Sequence, residues 1–205
     1  VLCLDKTGTI TDGSMTVVNY VDLQRGKYDI KGLISHMNAA LGETNSTAKA
    51  LENYFGVDSS VTASEIIPFS SDRKYSGAVF DGETFIIGAP EFVLKSSFEK
   101  YAQMVNEEAN KGYRVLCLAS TKQDLIKGKL SRPPKPIAFI LIEDQIRPEA
   151  SETIRYFRES GVEVKVISGD NPVTVSEVAK RVGIASAENY ISLDGLTDDE
   201  VYDAA

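Results

Sequence analysis

The sequence predicts an α/β fold in which a parallel-sheet domain is interrupted by an inserted α+β domain. The chain opens on four apolar residues and then Asp5, which is typical of a strand buried on both faces of a parallel sheet. From residue 143 onward strands and helices alternate again, and Asp170 follows another apolar strand. We therefore expect residues 1–13 and 143–205 to form one domain and residues 14–142 to form the insertion.

The inserted region begins with a strand and two helices. Residues 15–23 mix apolar and β-branched residues and predict a strand. Apolar residues at helical spacing then predict a helix that ends at Gly42, and a second that is capped by Asn45 or Ser46 and ends at Gly56.

Further strands and one helix complete the insertion. The predicted strands span residues 61–69, 76–87, 113–119 and 137–142. Asp81-Gly82 is a hairpin signal within the second of them. Apolar residues from Phe98 to Ala109 share one helical face, and Gly112 stops that pattern. The stretch 121–136 is rich in lysine and proline and predicts a loop.

The last part of the chain returns to the opening pattern. Pro148 suits the first turn of a helix that ends at Gly161. An apolar strand at 162–167 leads into Ser168-Gly169-Asp170, and Pro172 opens a second helix. We also expect a short strand at 191–193 and a capping box formed by Thr197 and Glu200. The two places where the chain would cross between domains, 12–13 and 143–147, predict a hinge.

Composition sets limits on the class of protein. The chain has 205 residues, of which 42% are apolar and 25% charged, as in ordinary globular proteins. Its net charge of −8 argues against binding to nucleic acid. The longest apolar run, 137–142, is too short for a membrane span. Cys3 and Cys117 both lie in apolar runs and predict buried free thiols. A chain that opens within a strand predicts a fragment of a longer protein.

The strand ends predict phosphoryl chemistry. Asp5 and Asp170 follow different parallel strands, so both are expected at one edge of the sheet. Two carboxylates about 4 Å apart repel by roughly 4 kcal/mol at an effective dielectric near 20, and Mg²⁺ would offset this repulsion. Lys6, Thr7 and Gly8 supply a cation, a hydroxyl and a flexible backbone that suit a phosphoryl group. An aspartate carboxylate in such a setting can form an aspartyl phosphate.

The segment DKTGTIT, residues 5–11, matches the phosphorylation signature of P-type cation-transporting ATPases. The segment 168–171, SGDN, is similar to the family's TGDN, and IEDQIRP at 142–148 resembles its DPPR hinge motif. The resemblance implies a domain of the haloacid dehalogenase-like type. It assigns catalytic roles to Asp5, Lys6, Thr7, Ser168, Gly169 and Asp170 and magnesium ligation to Asp5 and Thr7. The related phosphatases carry a general acid and base at the position of Thr7, so an acyl phosphate here should live longer.

Motifs of the inserted region resemble the family's nucleotide-binding domain. Residues 68–74, PFSSDRK, are similar to its FSRDRK segment. Residues 88–91, GAPE, are similar to its KGAPE segment, but Ile87 stands in place of the lysine. Residues 112–116 are similar to its GxRxL segment. In this comparison Phe69 stacks on adenine, whereas the residues alone favour a core position for it. The implied nucleotide-binding residues are Glu43, Phe69, Lys74, Gly88, Ala89, Arg114, Asp144 and Arg147.

The resemblance implies the ATP-binding and phosphorylation portion of a membrane cation pump. ATP would be its substrate, Mg²⁺ its cofactor, and transmembrane and actuator domains of the same polypeptide its partners at the cytoplasmic face of a membrane. The family's GDGxND magnesium motif does not occur in the chain, so we expect nucleotide binding with little turnover. The alternatives are a soluble haloacid dehalogenase-like phosphatase with a large cap, and a non-catalytic ATP-binding module.

Overall fold

The computed structural model describes residues 1–122, 129–193 and 196–197. The chain separates into two compact units: a first unit of Val1–Asp12, Asn110–Gly112 and Ile146–Ala205, and a second unit of Gly13–Ala109 and Tyr113–Gln145. In chain order the elements are β1 (Leu2–Asp5), β2 (Thr11–Asp22), α1 (Ile30–Leu41), α2 (Ser46–Phe55), β3 (Glu65–Ser70), β4 (Tyr75–Phe80), β5 (Glu83–Gly88), α3 (Pro90–Leu94), α4 (Ala102–Ala109), β6 (Arg114–Thr121), β7 (Lys135–Ile146), α5 (Ala150–Glu159), β8 (Val164–Ile167) and α6 (Pro172–Arg181). Irregular helical turns at Lys6–Ile10 and Lys95–Lys100 connect some of them.

The first unit is built on the parallel pair β1 and β8, in which Leu2 is opposite Val164 and Asp5 is opposite Ile167. Leu4 and Val164 pack against a core that includes Ile154 of α5 and Val178 of α6. This pairing confirms the predicted parallel sheet. It also places the residues that follow β1 and β8 side by side.

The prediction that β1 is buried on both faces is wrong. Leu2 and Leu4 are half-buried, whereas Cys3 and Asp5 on the other face are exposed. Ile167 of β8 is also exposed, at 60%. The helices of this unit pack against one face of the strand pair, so Cys3 is an exposed thiol rather than the buried one expected.

The end of the chain also differs from the prediction. Residues 191–193 form no strand, and Ile191 is exposed at 59%, because no neighbouring strand in the described part of the chain supplies hydrogen-bond partners. Of the expected capping box, Thr197 is described, whereas Glu200 lies outside the described residues.

The second unit contains a six-stranded sheet in the order β2-β7-β6-β5-β4-β3. Alternate residues of its central strands face opposite sides. Ile87 and Leu118 pack with α1 and α2 residues in one core cluster. Ile86 and Cys117 pack with α3 and α4 residues in another. A sheet covered on both faces explains why these strands have continuous apolar runs.

The local signals within the second unit are mostly confirmed. The Asn45 side chain accepts a hydrogen bond from the amide of Ala48 at 2.9 Å and caps α2, and Gly42 ends α1 in the left-handed region with φ of 55°. Asp81 and Gly82 form the turn between β4 and β5. The helix α3 was not predicted, because five residues are too short for a helical period. Among the described residues, no helix is long and apolar enough to cross a membrane.

Candidate active site and nucleotide site

The loop after β1, which we call the Asp5 loop (residues 5–11), leaves the carboxylate of Asp5 exposed at the end of the strand. Asp5 and Thr7 have extended backbones, with ψ of 146° and 122°. Gly8 has φ of 81°, a left-handed conformation that favours glycine. The loop therefore turns back sharply while Asp5 and Thr7 remain open to ligands.

Lys6 is the most buried member of this loop, with a side chain that is 0% exposed. Its Nζ lies 2.6 Å from Oδ2 of Asp170, whose side chain is 24% exposed. Because β1 and β8 run parallel and in register, the residues after each strand lie next to each other. The structure thus pairs Lys6 with Asp170, and the ammonium group neutralises one of the two carboxylates that were expected to repel.

The segment after β8 forms a tight polar turn. The amide of Asp170 donates to Oγ of Ser168 at 3.2 Å. A Cβ atom at Gly169 would meet no atom within 4 Å, so the backbone there is open. The Asn171 side chain accepts from the amide of Val173 at 3.0 Å and caps α6. Ser168 therefore accepts a hydrogen bond within the turn at the strand end, and α6 begins directly after the turn.

Arg147, from outside the Asp5 loop, and Thr11, at its end, both hold the loop through contacts that sequence reasoning missed. Nη2 of Arg147 donates to the carbonyl oxygen of Gly8 at 2.9 Å, and the amide of Arg147 donates to that of Ile10 at 3.0 Å. Thr11, only 1% exposed, receives the amide of Gly8 on its Oγ1 at 3.4 Å and donates to the carbonyl of Lys6 at 3.4 Å. The sequence feature that could have identified Thr11 is its place at the end of the motif DKTGTIT.

Of the residues predicted to bind nucleotide, those of the second unit collect at one end of the six-stranded sheet, whereas Arg147 belongs to the first unit. Ser70 is opposite Tyr75, Tyr75 is opposite Gly88, and Gly88 is opposite Cys117. Lys74 and Ala89 adjoin these positions along the chain, and Arg114 begins the strand that contains Cys117. Arg114 is in turn opposite Ile142, two residues before Asp144. The pairing thus gathers positions that are more than 70 residues apart in sequence.

Phe69 is 49% exposed at the end of β3, so it does not occupy the core position that the residues alone favoured. Lys74 is exposed and has φ of 56°, and its carbonyl accepts the amide of Ala89 at 3.0 Å. A Cβ atom at Gly88 would collide with that carbonyl and with Tyr75. Close backbone approach therefore requires glycine here and fixes the exposed Phe69–Lys74 turn beside Ala89.

Glu43 lies in the loop between α1 and α2. Its Oε2 accepts from Nδ2 of Asn45 at 3.1 Å, whereas its Oε1 is buried and has no hydrogen-bond partner among the described residues. Four residues later, Oγ1 of Thr47 lies 3.5 Å from Sδ of Met15. Thr16, the residue after Met15, accepts a hydrogen bond from Nε2 of Gln145 at 3.2 Å. These contacts place the loop at the same end of the sheet as the other nucleotide candidates.

Metal-binding capacity in this structure depends on few groups. The described residues contain no cluster of three or more His, Cys, Asp or Glu side chains that could hold a metal ion. Asp5 and Thr7 present exposed oxygen atoms, and oxygen is the ligand that Mg²⁺ prefers. The donor types fit magnesium with several retained waters. Burial raises the pKa of the Cys117 thiol, which disfavours the thiolate form that binds metal ions.

Comparison with known proteins places this geometry in a family. A probable cation-transporting ATPase, exp7, from Streptococcus pneumoniae is 38% identical over 205 residues, covering 98% of this chain and 26% of that protein. The calcium-transporting ATPase CtpE from Mycobacterium bovis is 33% identical over 187 residues, covering 90% of this chain and 23% of that protein. The chain spans about a quarter of the length of these relatives.

A solved structure supports the same fold. The crystal structure of a zinc-transporting PIB-type ATPase in its E2.Pi state superimposes with a TM-score of 0.60 at 22% identity, covering 89% of this chain and 28% of that chain. The model of the family described as haloacid dehalogenase-like hydrolase matches residues 1–201. The chain belongs to the haloacid dehalogenase-like hydrolase family, and the curated relatives that it matches are P-type cation-transporting ATPases.

Proposed function

We propose that the chain is the ATP-binding and phosphorylation portion of a P-type ATPase that couples ATP hydrolysis, through an aspartyl phosphate on Asp5, to cation transport across a membrane. The observation that carries the proposal is the Asp5 loop itself. An exposed carboxylate stands at the end of a parallel strand, and a buried Lys6 is paired with Asp170 directly behind it. Residues 1–13 and 143–205 would form the phosphorylation domain and residues 14–142 the nucleotide-binding domain.

In this mechanism the Asp5 carboxylate attacks the terminal phosphorus of ATP, and ADP leaves. Positioning and charge stabilisation supply most of the catalysis in such transfers. Ser168 Oγ and the open backbone at Gly169 would contact the phosphoryl oxygens, while the Lys6–Asp170 pair keeps the loop in place. Bound Mg²⁺, held by Asp5 and Thr7, would supply positive charge against the phosphoryl oxygens.

Thr7 determines what happens to the product. A general base at this position would activate water against the acyl phosphate. A threonine hydroxyl is not ionised at neutral pH and cannot take up that role. The aspartyl phosphate would therefore persist long enough to drive transport, which favours a pump over a phosphatase.

The nucleotide would be held by the second unit. Phe69 exposes nearly half of its surface and is available to stack on a base. Lys74 and Arg114 would contact the phosphates, Gly88 and Ala89 would allow close approach of the backbone, and Glu43 would accept a hydrogen bond from the base. The resemblance also assigns to the nucleotide Asp144 of the second unit and Arg147 of the first unit.

Transport itself would require transmembrane helices, and no helix among the described residues is long and apolar enough to cross a membrane. Transmembrane helices would carry the cation, and an actuator domain would promote release of phosphate. The chain would then act at the cytoplasmic face of a membrane. Because the family's GDGxND motif does not occur here, we expect the chain by itself to bind ATP but to form little phosphoenzyme.

Calorimetric titration of the chain with ATP, with and without Mg²⁺, tests the proposal when combined with an assay on a generic phosphate ester. We expect ATP binding without ester hydrolysis. Hydrolysis of the ester without ATP binding would instead identify a phosphatase with a large cap. ATP binding that is unaffected in a variant lacking Phe69 would mean that the nucleotide site has been placed wrongly.

A further inference from the structure

Arg147 makes a contact that its expected role at the nucleotide does not explain. Its guanidinium donates through Nη2 to the carbonyl oxygen of Gly8 at 2.9 Å. Nη1 lies 3.9 Å from Oε1 of Glu149, which further orients the guanidinium plane. The side chain is 39% exposed, so the contact is made at the surface, where solvent competes for the donor. Ordering a long side chain at the surface costs conformational entropy, which the contacts of Arg147 must offset.

The contact acts at the turning point of the Asp5 loop. Gly8 has φ of 81° and ψ of −10°, and the peptide that follows it must present its oxygen to Arg147. The main chain of Arg147 also donates to Ile10 at 3.0 Å. Arg147 therefore donates hydrogen bonds to two carbonyl groups of the loop, one on each side of Thr9. Without these bonds the glycine would be free to change its conformation.

The other end of the loop is held independently. Lys6 is anchored by Asp170, and the amide of Thr11 donates to the carbonyl of Lys6. Asp5 itself is exposed and precedes these anchors directly. Its direction therefore depends on the peptide of Lys6 and on the closure of the loop by Arg147. The chain also enters the first unit at Ile146, one residue before Arg147.

We propose that Arg147 is a positioning residue for Asp5: it fixes the loop through the carbonyl of Gly8, so that the nucleophile is aimed before any nucleotide binds. This inference rests on the proposed function of Asp5 as the phosphorylated residue. It differs from a phosphate contact in one respect that can be measured. A residue that only contacts ATP affects transfer from ATP, whereas a residue that aims Asp5 affects transfer from every phosphoryl donor.

The first test uses the chain alone and measures amide hydrogen exchange. In Arg147→Ala the amide of Thr11 should exchange about tenfold faster, as expected when one hydrogen bond from a charged donor is lost. Arg147→Lys keeps a donor of similar length and should restore part of the protection. Arg155→Ala removes an exposed arginine from α5 and is the matched control, which should leave Thr11 unchanged. Unchanged exchange at Thr11 in Arg147→Ala would overturn the inference.

The second test uses the longer polypeptide that the proposed function requires and compares two donors. With ATP, an Asp5 carboxylate oxygen bonds to phosphorus, the bond to the bridging oxygen breaks and ADP leaves. With inorganic phosphate and no nucleotide, the same bond forms and one phosphate oxygen leaves as water. We expect Arg147→Ala to lower the labelling of Asp5 from both donors by about 10- to 100-fold, the effect of a misplaced reacting group.

The labelling from the two donors distinguishes a positioning role of Arg147 from a contact with the nucleotide. A loss of labelling from ATP alone, with labelling from inorganic phosphate unchanged, would overturn the inference and make Arg147 a nucleotide contact only. Failure of the unsubstituted polypeptide to label from either donor would instead refute the proposed function. In that case the exchange of Thr11 still decides whether Arg147 fixes the loop.

Discussion

The ion pair between Lys6 and Asp170 makes a prediction about stability that can be worked from its burial. The Lys6 side chain is 0% exposed and its Nζ lies 2.6 Å from Asp170, which is 24% exposed. Removing one partner of a buried pair costs about 3–5 kcal/mol, because the other charge loses its nearest opposite charge. Asp170→Asn leaves the fully buried ammonium behind and should cost about 3 kcal/mol. Lys6→Met leaves a carboxylate that water reaches and should cost less, about 1–2 kcal/mol.

The assay is native-state hydrogen exchange in urea, read from amides of β8 and α6 so that the free energy of unfolding refers to the first unit. The double variant Lys6→Met/Asp170→Asn should be more stable than Asp170→Asn alone, because the buried ammonium is removed together with its carboxylate. An exposed pair, Arg155 and Glu152 at 3.9 Å, is the control, and its loss should cost less than about 1 kcal/mol. An Asp170→Asn variant as stable as the original chain, or strictly additive single effects, would refute the reasoning.

Four further predictions concern other parts of the chain. Phe69→Ala should weaken ATP binding by about 1–3 kcal/mol, because the ring stacks on the base. Phe92→Ala removes another exposed ring and should leave ATP binding unchanged. If calorimetry gives Phe69→Ala the ATP affinity of the original chain, Phe69 is not part of the site. Gly88→Ala should destabilise the second unit by at least about 2 kcal/mol in urea unfolding, because its Cβ would collide with neighbouring backbone; a stable variant would contradict the close approach. A thiol reagent should modify Cys3 quickly and Cys117 only after unfolding, since Cys3 is exposed and Cys117 is buried. Burial raises the pKa of Cys117 above its unfolded value, so its contribution to stability is present below about pH 8.5 and is lost as the pH rises further; Cys117→Ala should show a shallower decline.

Much of the fold could be predicted because local signals agreed with tertiary packing. Asn45 and Gly42 act at the ends of α2 and α1 as their residue types predict. The continuous apolar runs of the central strands reflect a sheet covered on both faces. The same rule failed for β1, where a run of apolar residues lies in a sheet with one face exposed at Cys3. A run of apolar residues indicates a strand but does not show how many faces are covered.

The candidate site was predictable in its residue types and less so in its contacts. The motif around Asp5 identified the loop, and the parallel pairing of β1 with β8 brings Asp170 beside it. The sequence alone could not show that Lys6 is fully buried against Asp170, because a lysine between a carboxylate and a threonine is usually solvated. Nor could it show that Arg147 donates to the Gly8 carbonyl. Contacts to backbone atoms depend on the fold and leave no signal in residue type.

The measurement that tests the central claim most directly is labelling of the longer polypeptide with ATP radiolabelled on its terminal phosphate, followed by acid quenching and mapping of the label. The account predicts an acid-stable label on Asp5 that is absent in Asp5→Asn and retained in Cys3→Ser, a substitution two residues earlier on the same strand. Label on another residue, or ATP hydrolysis that continues undiminished in Asp5→Asn, would contradict the assignment of Asp5 as the phosphorylated residue.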